Sequence, residues 1–360
     1  MRPVQWVLFP LAIWGSIAAS ARAQDDQPAA PPHPRVITPN GEVMSTRAID
    51  DDYNRQLLGL ERQRLERLAK LASRQPAKDA SATYEQIFRL AVANNLFSEA
   101  EPIADQVIRS ADSSPTVRFL AHLIDLVATA DRGAFDESLA TLRGILGEAK
   151  KASRPGPPAL DSALLLDLCE AYYQRLLQAN QLAAARNAFE LLAQETTKPA
   201  VKDYCTNRLR RLAQVGKPAP PLEGTDLDGK RVKLADLKGK VVLIDFWASW
   251  CLPSAEELDW LGQVHADQST RGFQIIGVNL DAAAEGATHD SITPNVRRFV
   301  LDHNVRWPVL INGPGAGDVA KAFAIADIPA NVLIGRDGKV IHLDLTRRNL
   351  AEVVARACAP

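Results

Sequence analysis

Residues 240–254 read K-V-V-L-I-D-F-W-A-S-W-C-L-P-S. The run Lys240–Phe246 is short, rich in β-branched residues and preceded by Gly239, which predicts a buried strand. Pro253 suits the first turn of a helix, where its missing N–H costs nothing, so a helix is predicted over 251–267. Cys251 therefore stands where a strand passes into a helix. A sulfur there faces unsatisfied backbone N–H groups and the positive end of the helix dipole, both of which favour thiolate. Three residues on, where a dithiol site carries its second cysteine, stands Ser254. A serine hydroxyl donates a hydrogen bond to a thiolate but cannot resolve a mixed disulfide.

Outward from this stretch, Phe273–Leu280, Trp307–Ile311, Asn331–Gly335 and Val340–Asp344 are further strand-like runs. Helical patterns at roughly 251–267, 294–304, 316–325 and 346–358 separate or follow them. Strands alternating with helices give an α/β layer with a mixed sheet. Asp337-Gly338 predicts a hairpin between the last two strands. The Asp281–Asp290 stretch contains Glu285 and Gly286 but lacks a calcium-loop pattern, and it reads as a surface insertion.

The break Gly216-Lys217-Pro218-Ala219-Pro220-Pro221 marks a boundary, and ahead of it the periodicity is helical. Leu57, Leu60, Leu65, Leu68 and Leu71 follow one helical face. Helical pairs are predicted at Thr83–Asn94 with Ser98–Ser110, Pro115–Ala130 with Ala134–Lys150, and Asp161–Ala179 with Leu182–Glu195; Pro199–Ala213 closes the series. Ser114 before Pro115 and Asp161 after the Arg154–Pro158 breaker are candidate caps. Turns at Asn94-Asn95, Asp131-Arg132-Gly133 and Asn180-Gln181 each precede an alanine-rich helix. The arrangement resembles degenerate tetratricopeptide-type repeats, and a plain helical bundle reads as well. Helical repeats stack into concave surfaces suited to a protein partner.

A chain of 360 residues has room for about two domains. A net charge of −1, with no basic stripe, excludes an electrostatic preference for nucleic acid. Arg2, the apolar Val4–Ala19 run and Ala21-Arg22-Ala23 read as a signal peptide cleaved after Ala23, for an exported, periplasmic or extracytoplasmic protein. The alternative is an uncleaved anchor holding the chain near a membrane, although Pro10 interrupts the run. Residues 24–45 are proline-rich and read as a disordered linker. The organisation is a leader (1–23), a linker (24–45), an all-α helical domain (46–215) and an α/β domain (216–360). Cys169 and Cys205 read as a structural bridge or as two buried thiols, since disulfides persist outside the cytosol.

Residues 216–358 resemble the exported thioredoxin-fold family called TlpA/ResA-like, or redoxins. Gly216–Pro220 and Leu227-Asp228-Gly229-Lys230 resemble its opening hairpin, and Leu234–Lys240 leads into the central strand. Trp247–Pro253 resembles the W-A-x-W-C-x-P entry to the active site, and Glu257 matches a glutamate common in the following helix. Ile328-Pro329-Ala330 resembles the loop with a cis-proline, and Val332–Gly338 the strand and turn after it. The resemblance implies a thioredoxin-like fold and thiol–disulfide exchange at Cys251, with Trp250, Leu252, Pro253, Ile328, Pro329 and Ala330 shaping the face for an extended substrate. It places Asp245 where the family keeps a buried acid that shuttles protons for the second cysteine. A carboxyl there is costly to bury charged. Ser254 departs from the pattern and Ala330 replaces a threonine, while Cys358 is one further candidate for a resolving thiol.

Rival chemistries fail on named positions. A peroxiredoxin carries Pro and Thr seven and three residues before its cysteine, where this chain has Ile244 and Ala248. A copper-delivery relative carries a second cysteine where Ala255 stands. The six histidines show no paired metal spacing, so neither metal nor cofactor is implied. The expected function is a monothiol oxidoreductase using Cys251, Ser254 and Asp245 on protein or small-molecule disulfides and thiols. The alternative is a redox-inactive scaffold whose helical domain recruits partners.

Overall fold

The computed structural model describes residues 36–37, 43–44, 46–151, 161–283, 288–313 and 317–359. The leader, most of the proline-rich segment, the Arg154–Pro158 breaker, Glu285 and Gly286 lie outside the described residues. Val36–Ile37 (β1) pairs antiparallel with Val43–Met44 (β2). Eight helices then follow among the described residues. They are α1 (Thr46–Ala72), α2 (Ala77–Ala93), α3 (Phe97–Arg109), α4 (Pro115–Asp131), α5 (Phe135–Lys151), α6 (Ser162–Gln178), α7 (Leu182–Glu195) and α8 (Pro199–Leu212).

The helix ends follow local chemistry. The Ser114 hydroxyl accepts from the Val117 N–H at 3.4 Å, and Asp161 Oδ1 accepts from the Ala163 N–H at 3.1 Å. Each of the three turns read from the sequence contains a left-handed residue: Asn95 (φ 57°), Gly133 (φ 79°) and Asn180 (φ 55°). Asn and Gly are the residues that adopt this conformation most readily. The helix α4 is buried along most of its length and packs on α2, α3 and α5.

The chain divides into two compact units at Tyr172/Tyr173, within α6. Strand structure begins after Gly216, but the unit that holds it starts at Tyr173 and so includes α7 and α8. Phe189 packs against Tyr173 edge-to-face at 5.3 Å and against Tyr204 at 6.1 Å, tying α7 to α8.

In this second unit Glu223–Thr225 (β3) and Arg231–Lys233 (β4) form an antiparallel ribbon. A five-stranded sheet follows, built from Val241–Trp247 (β5), Phe273–Asn279 (β6), Val309–Ile311 (β7), Ala330–Ile334 (β8) and Val340–Leu343 (β9). Its spatial order is β7-β6-β5-β8-β9. Pairing is parallel between β5, β6 and β7, and antiparallel between β5, β8 and β9. Among the described residues four α-helices accompany it: α9 (Leu252–Gln268), α10 (His289–Asp302), α11 (Val319–Ala322) and α12 (Leu350–Ala357). The fold is thus a helical N-terminal region followed by a thioredoxin-like mixed sheet flanked by helices.

Four helices differ from their sequence reading: α2 starts at Ala77 and not Thr83, α12 starts at Leu350 and not near 346, and α10 and α11 also change. The helix α10 starts at His289 because Thr288 caps it, its hydroxyl accepting from Ser291 N–H while Ser291 Oγ accepts from Thr288 N–H. The helix α11 is only one turn long and is followed by Ala324 at φ 54°. The core on one face of the sheet joins Leu243 and Trp247 with Leu258 and Leu261 of α9, Val296 of α10, and Leu350 and Val354 of α12.

Leu243 is 0% exposed in the central strand and Leu301 is 73% exposed. Leu243→Ala is expected to cost about 2–5 kcal/mol, seen as a lower urea midpoint. Leu301→Ala is expected to stay within about 0.5 kcal/mol of the parent in the same titration.

Candidate active site at the head of helix α9

The strand β5 delivers Cys251 to a fixed place. All seven of its residues are buried, and neighbours on both sides take up its backbone groups. At its end the Trp247 carbonyl accepts from Leu280 N–H at 2.8 Å, and the Cys251 N–H closes a turn onto the Ala248 carbonyl at 3.1 Å. Between them Ser249 is clamped by a carboxylate. Asp281 Oδ1 accepts from the Ser249 N–H at 2.8 Å and Asp281 Oδ2 from the Ser249 hydroxyl at 2.6 Å. Asn279 orients that carboxylate, its Nδ2 donating to Oδ1 at 3.1 Å while its own Oδ1 accepts from Asp281 N–H at 3.1 Å.

This clamp corrects the reading of Asp281–Asp290 as a surface insertion at its first residue: Asp281 is only 6% exposed, while Thr288, His289 and Asp290 are exposed as expected. Asn279, Asp281 and Ser249 are site-shaping residues that the sequence reading missed. Their signal was a polar Asn-x-Asp directly after an apolar strand, which periodicity does not score.

Cys251 occupies the N-cap position of α9 and is 8% exposed, beside Trp250 at 48% exposed. Pro253 falls in the first turn and is half-buried. Leu252 is the first helical residue, and its side chain lies outside the described ones. The sulfur makes no cap hydrogen bond to the helix; it donates instead to the Ile328 carbonyl at 3.9 Å. The Ile328–Pro329 peptide is cis, as the resemblance implies. Ile328 and Pro329 are half-buried, while Ala330 is 2% exposed at the start of β8, opposite Phe246. The structure thus brings Cys251, Trp250 and the 328–329 loop together, whereas Ala330 is buried and paired with Phe246.

Two buried polar groups lie beneath the cysteine. Ser254, Leu258 and Leu261 recur at helical spacing, so Ser254 sits on the sheet-facing stripe of α9; it is 1% exposed and its hydroxyl has no protein partner. By strand alternation Asp245 shares the face of Val241, Leu243 and Trp247, which α9 covers. Asp245 is 1% exposed, and neither carboxyl oxygen has a protein partner. Burial alone pushes its pKa up from 3.8 to about 7.

No disulfide joins Cys169, Cys205, Cys251 or Cys358, and all four are buried. Cys358 is ruled out as a resolving thiol by its place. Arg336 donates both to the Cys358 carbonyl and to the Gly239 carbonyl, ahead of β5, whereas Cys251 follows the far end of that strand. Seven strand residues put roughly 20 Å between those two ends. Among the described residues no cluster of His, Cys, Asp or Glu is placed to hold a metal ion, and no helix is long and apolar enough to cross a membrane.

A thioredoxin-like sheet with one cysteine at the head of its first long helix, facing a cis-proline loop, defines the class as thiol–disulfide exchange proteins. Residues 215–343 match the AhpC/TSA family. Over 129 residues the chain is 34% identical to thiol-disulfide oxidoreductase ResA of Bacillus thuringiensis subsp. konkukian, an alignment spanning 36% of this chain and 68% of that protein. The ResA of Bacillus subtilis is 30% identical over 128 residues, covering 36% of this chain and 65% of that one. A crystal structure of the thioredoxin domain of a thiol-disulfide oxidoreductase from Bacteroides vulgatus covers 40% of this chain and 98% of its own, at 26% identity and a TM-score of 0.36. Through its C-terminal domain, the chain belongs to the ResA family of thiol-disulfide oxidoreductases.

The buried carboxyl sets a pH dependence of stability. Between its ordinary value of 3.8 and about 7, Asp245 is protonated in the folded protein and ionised in the unfolded chain. Unfolding releases a proton in that window, so the contribution is fully present below the lower value and is lost as pH rises to the upper one. Asp245→Asn is expected to flatten this part of the stability–pH curve and to exceed the parent at neutral pH by on the order of a few kcal/mol, read by denaturant titration at several pH values.

Proposed function

We propose that this is an exported thiol–disulfide oxidoreductase that works through Cys251 alone. The observation that carries the reading is the sulfur at the N-cap of α9, facing Ile328 of the cis-proline loop beside an exposed tryptophan. The Cys251 thiolate attacks one sulfur of a substrate disulfide, forms a mixed disulfide and expels the other sulfur as thiolate. An external thiolate then attacks the mixed disulfide, carries the released substrate sulfur into a new disulfide and returns Cys251 as thiolate. Two electrons pass between the outside partners, and the protein ends unchanged.

Ser254 takes no part in resolution, since it has no sulfur; the thiolate support expected of it is not made here, its buried hydroxyl having no hydrogen-bond partner. Asp245 keeps the position of a proton acceptor without a second thiol to serve. Trp250, Pro253, Ile328 and Pro329 make the substrate face, and the buried Ala330, expected there, supports it from β8. The helical region, read as tetratricopeptide-like, recruits a protein partner, and residues 1–23 direct export. The domain limits proposed from the sequence are 46–215 and 216–360, with the helical series from Tyr173 onward sharing one compact unit with the sheet.

A second reading is a redox-inactive scaffold. It is favoured by the low exposure of Cys251, which is 8%. Purified full-length protein incubated with a defined peptide disulfide separates the two by mass spectrometry. The oxidoreductase reading expects a reductant-sensitive adduct on Cys251 that is absent from Cys251→Ala and short-lived in Ser254→Cys. No adduct on the parent protein, at any peptide concentration tested, leaves only the scaffold.

A further inference from the structure

The helix α8 lies outside the strand–helix alternation of the thioredoxin-like sheet, yet it reaches the loop that faces Cys251. Arg208 and Arg211, three residues apart on α8, project from neighbouring positions on one side. Arg208, 6% exposed, sits against the rings of Tyr173 and Tyr204, its guanidinium carbon 4.9 and 4.7 Å from their centroids. From there it forks onto Asp327, Nη1 donating to Oδ1 at 3.0 Å and Nη2 to Oδ2 at 2.7 Å. Arg211, 1% exposed, donates Nη2 to the Asn331 carbonyl at 3.2 Å and pairs with Asp344 Oδ1 at 2.6 Å.

Asn331 is locked in turn by Leu345. Its Nδ2 donates to the Leu345 carbonyl at 2.8 Å, and its Oδ1 accepts from the Leu345 N–H at 2.8 Å. The short segment 327–331 is therefore held at both ends by α8. Ile328, which follows Asp327 directly, carries the carbonyl that faces the Cys251 sulfur. The last β5–β8 pair is Phe246 with Ala330, so the main chain at Ile328 and Pro329 is not committed to β5.

Removing two guanidinium groups from water is costly, and buried ion pairs are often no more stabilising than apolar side chains of the same size. What a bidentate arginine supplies that an apolar contact does not is a fixed distance and plane. We infer that Arg208 and Asp327 are positioning residues of the redox site: the buried fork from α8 sets the height of the Ile328-Pro329 backbone over Cys251, where an extended peptide disulfide has to lie. This rests on the reading of Cys251 as a working thiol.

The test compares two disulfides on full-length protein. One is an extended peptide disulfide, which needs the loop backbone; the other is a small aromatic disulfide, dithionitrobenzoate, which needs only the sulfur. Asp327→Asn keeps the side-chain shape and removes the charge. It is expected to slow reaction with the peptide by roughly 10- to 100-fold while the small disulfide stays within about twofold, as for a mispositioned binding surface. Arg208→Lys keeps the charge but loses the fork, and it is expected to fall between the parent and Asp327→Asn on the peptide alone. If circular dichroism shows Asp327→Asn unfolded, Arg208→Lys carries the same comparison. Equal losses on both disulfides, or no loss on either, in a reactive folded protein overturn the inference by itself. A parent protein that reacts with neither removes the redox reading and this inference together.

Discussion

The central strand β5 is buried on both faces and hydrogen-bonded along both edges, and the site inherits its rigidity. A strand so held has almost no freedom at its C-terminal end. The next four residues must leave the sheet, turn and start α9, and local hydrogen bonds fix that path. Asp281 adds the remaining constraint by taking both donors of Ser249. The exposed Trp250 and the sulfur next to it are thus set by burial elsewhere, at residues such as Leu243 and Trp247 that touch no substrate.

Beneath the sulfur the chemistry is less complete than the scaffold. A buried carboxyl with its pKa near neutrality suits the transfer of a proton to or from a second thiol. Here the residue on the helix stripe above it is Ser254, whose hydroxyl does not titrate in that range. Asp245 is desolvated with no second thiol on the helix stripe above it. A chain that used this domain for shape alone would lose nothing by replacing Asp245 with an apolar residue.

Most of the architecture was legible because it follows from periodicity and turn chemistry. The five strands of the sheet, the cap at Ser114 and the turns at Asn95, Gly133 and Asn180 all stand where short-range rules place them. The position of Cys251 at a strand–helix junction was legible too, since Pro253 marks the helix start. The loop that the sulfur faces was legible only through the family resemblance: Ile328 lies 77 residues away in sequence, and no local pattern encodes that contact. Asp281 was misread for a similar reason: a carboxylate in a polar stretch looks solvated until the strand beside it supplies Ser249. The low exposure of Ser254 likewise became visible only once α9 lay on β5.

The same limit explains why α8 read as the last of a helical series and not as part of the redox unit. Its arginines resemble an ordinary basic turn at a helix end, where charge complements the dipole. Two facts of packing change that meaning. Tyr173 and Tyr204 bury the Arg208 guanidinium, and the chain 119 residues later returns Asp327 to meet it. A lysine in that slot would meet the carboxylate as a point charge; arginine fixes it in a plane. The geometry therefore links the end of the helical series to the loop over Cys251, and a spacer that merely held the redox fold away from a surface would have no need of that link.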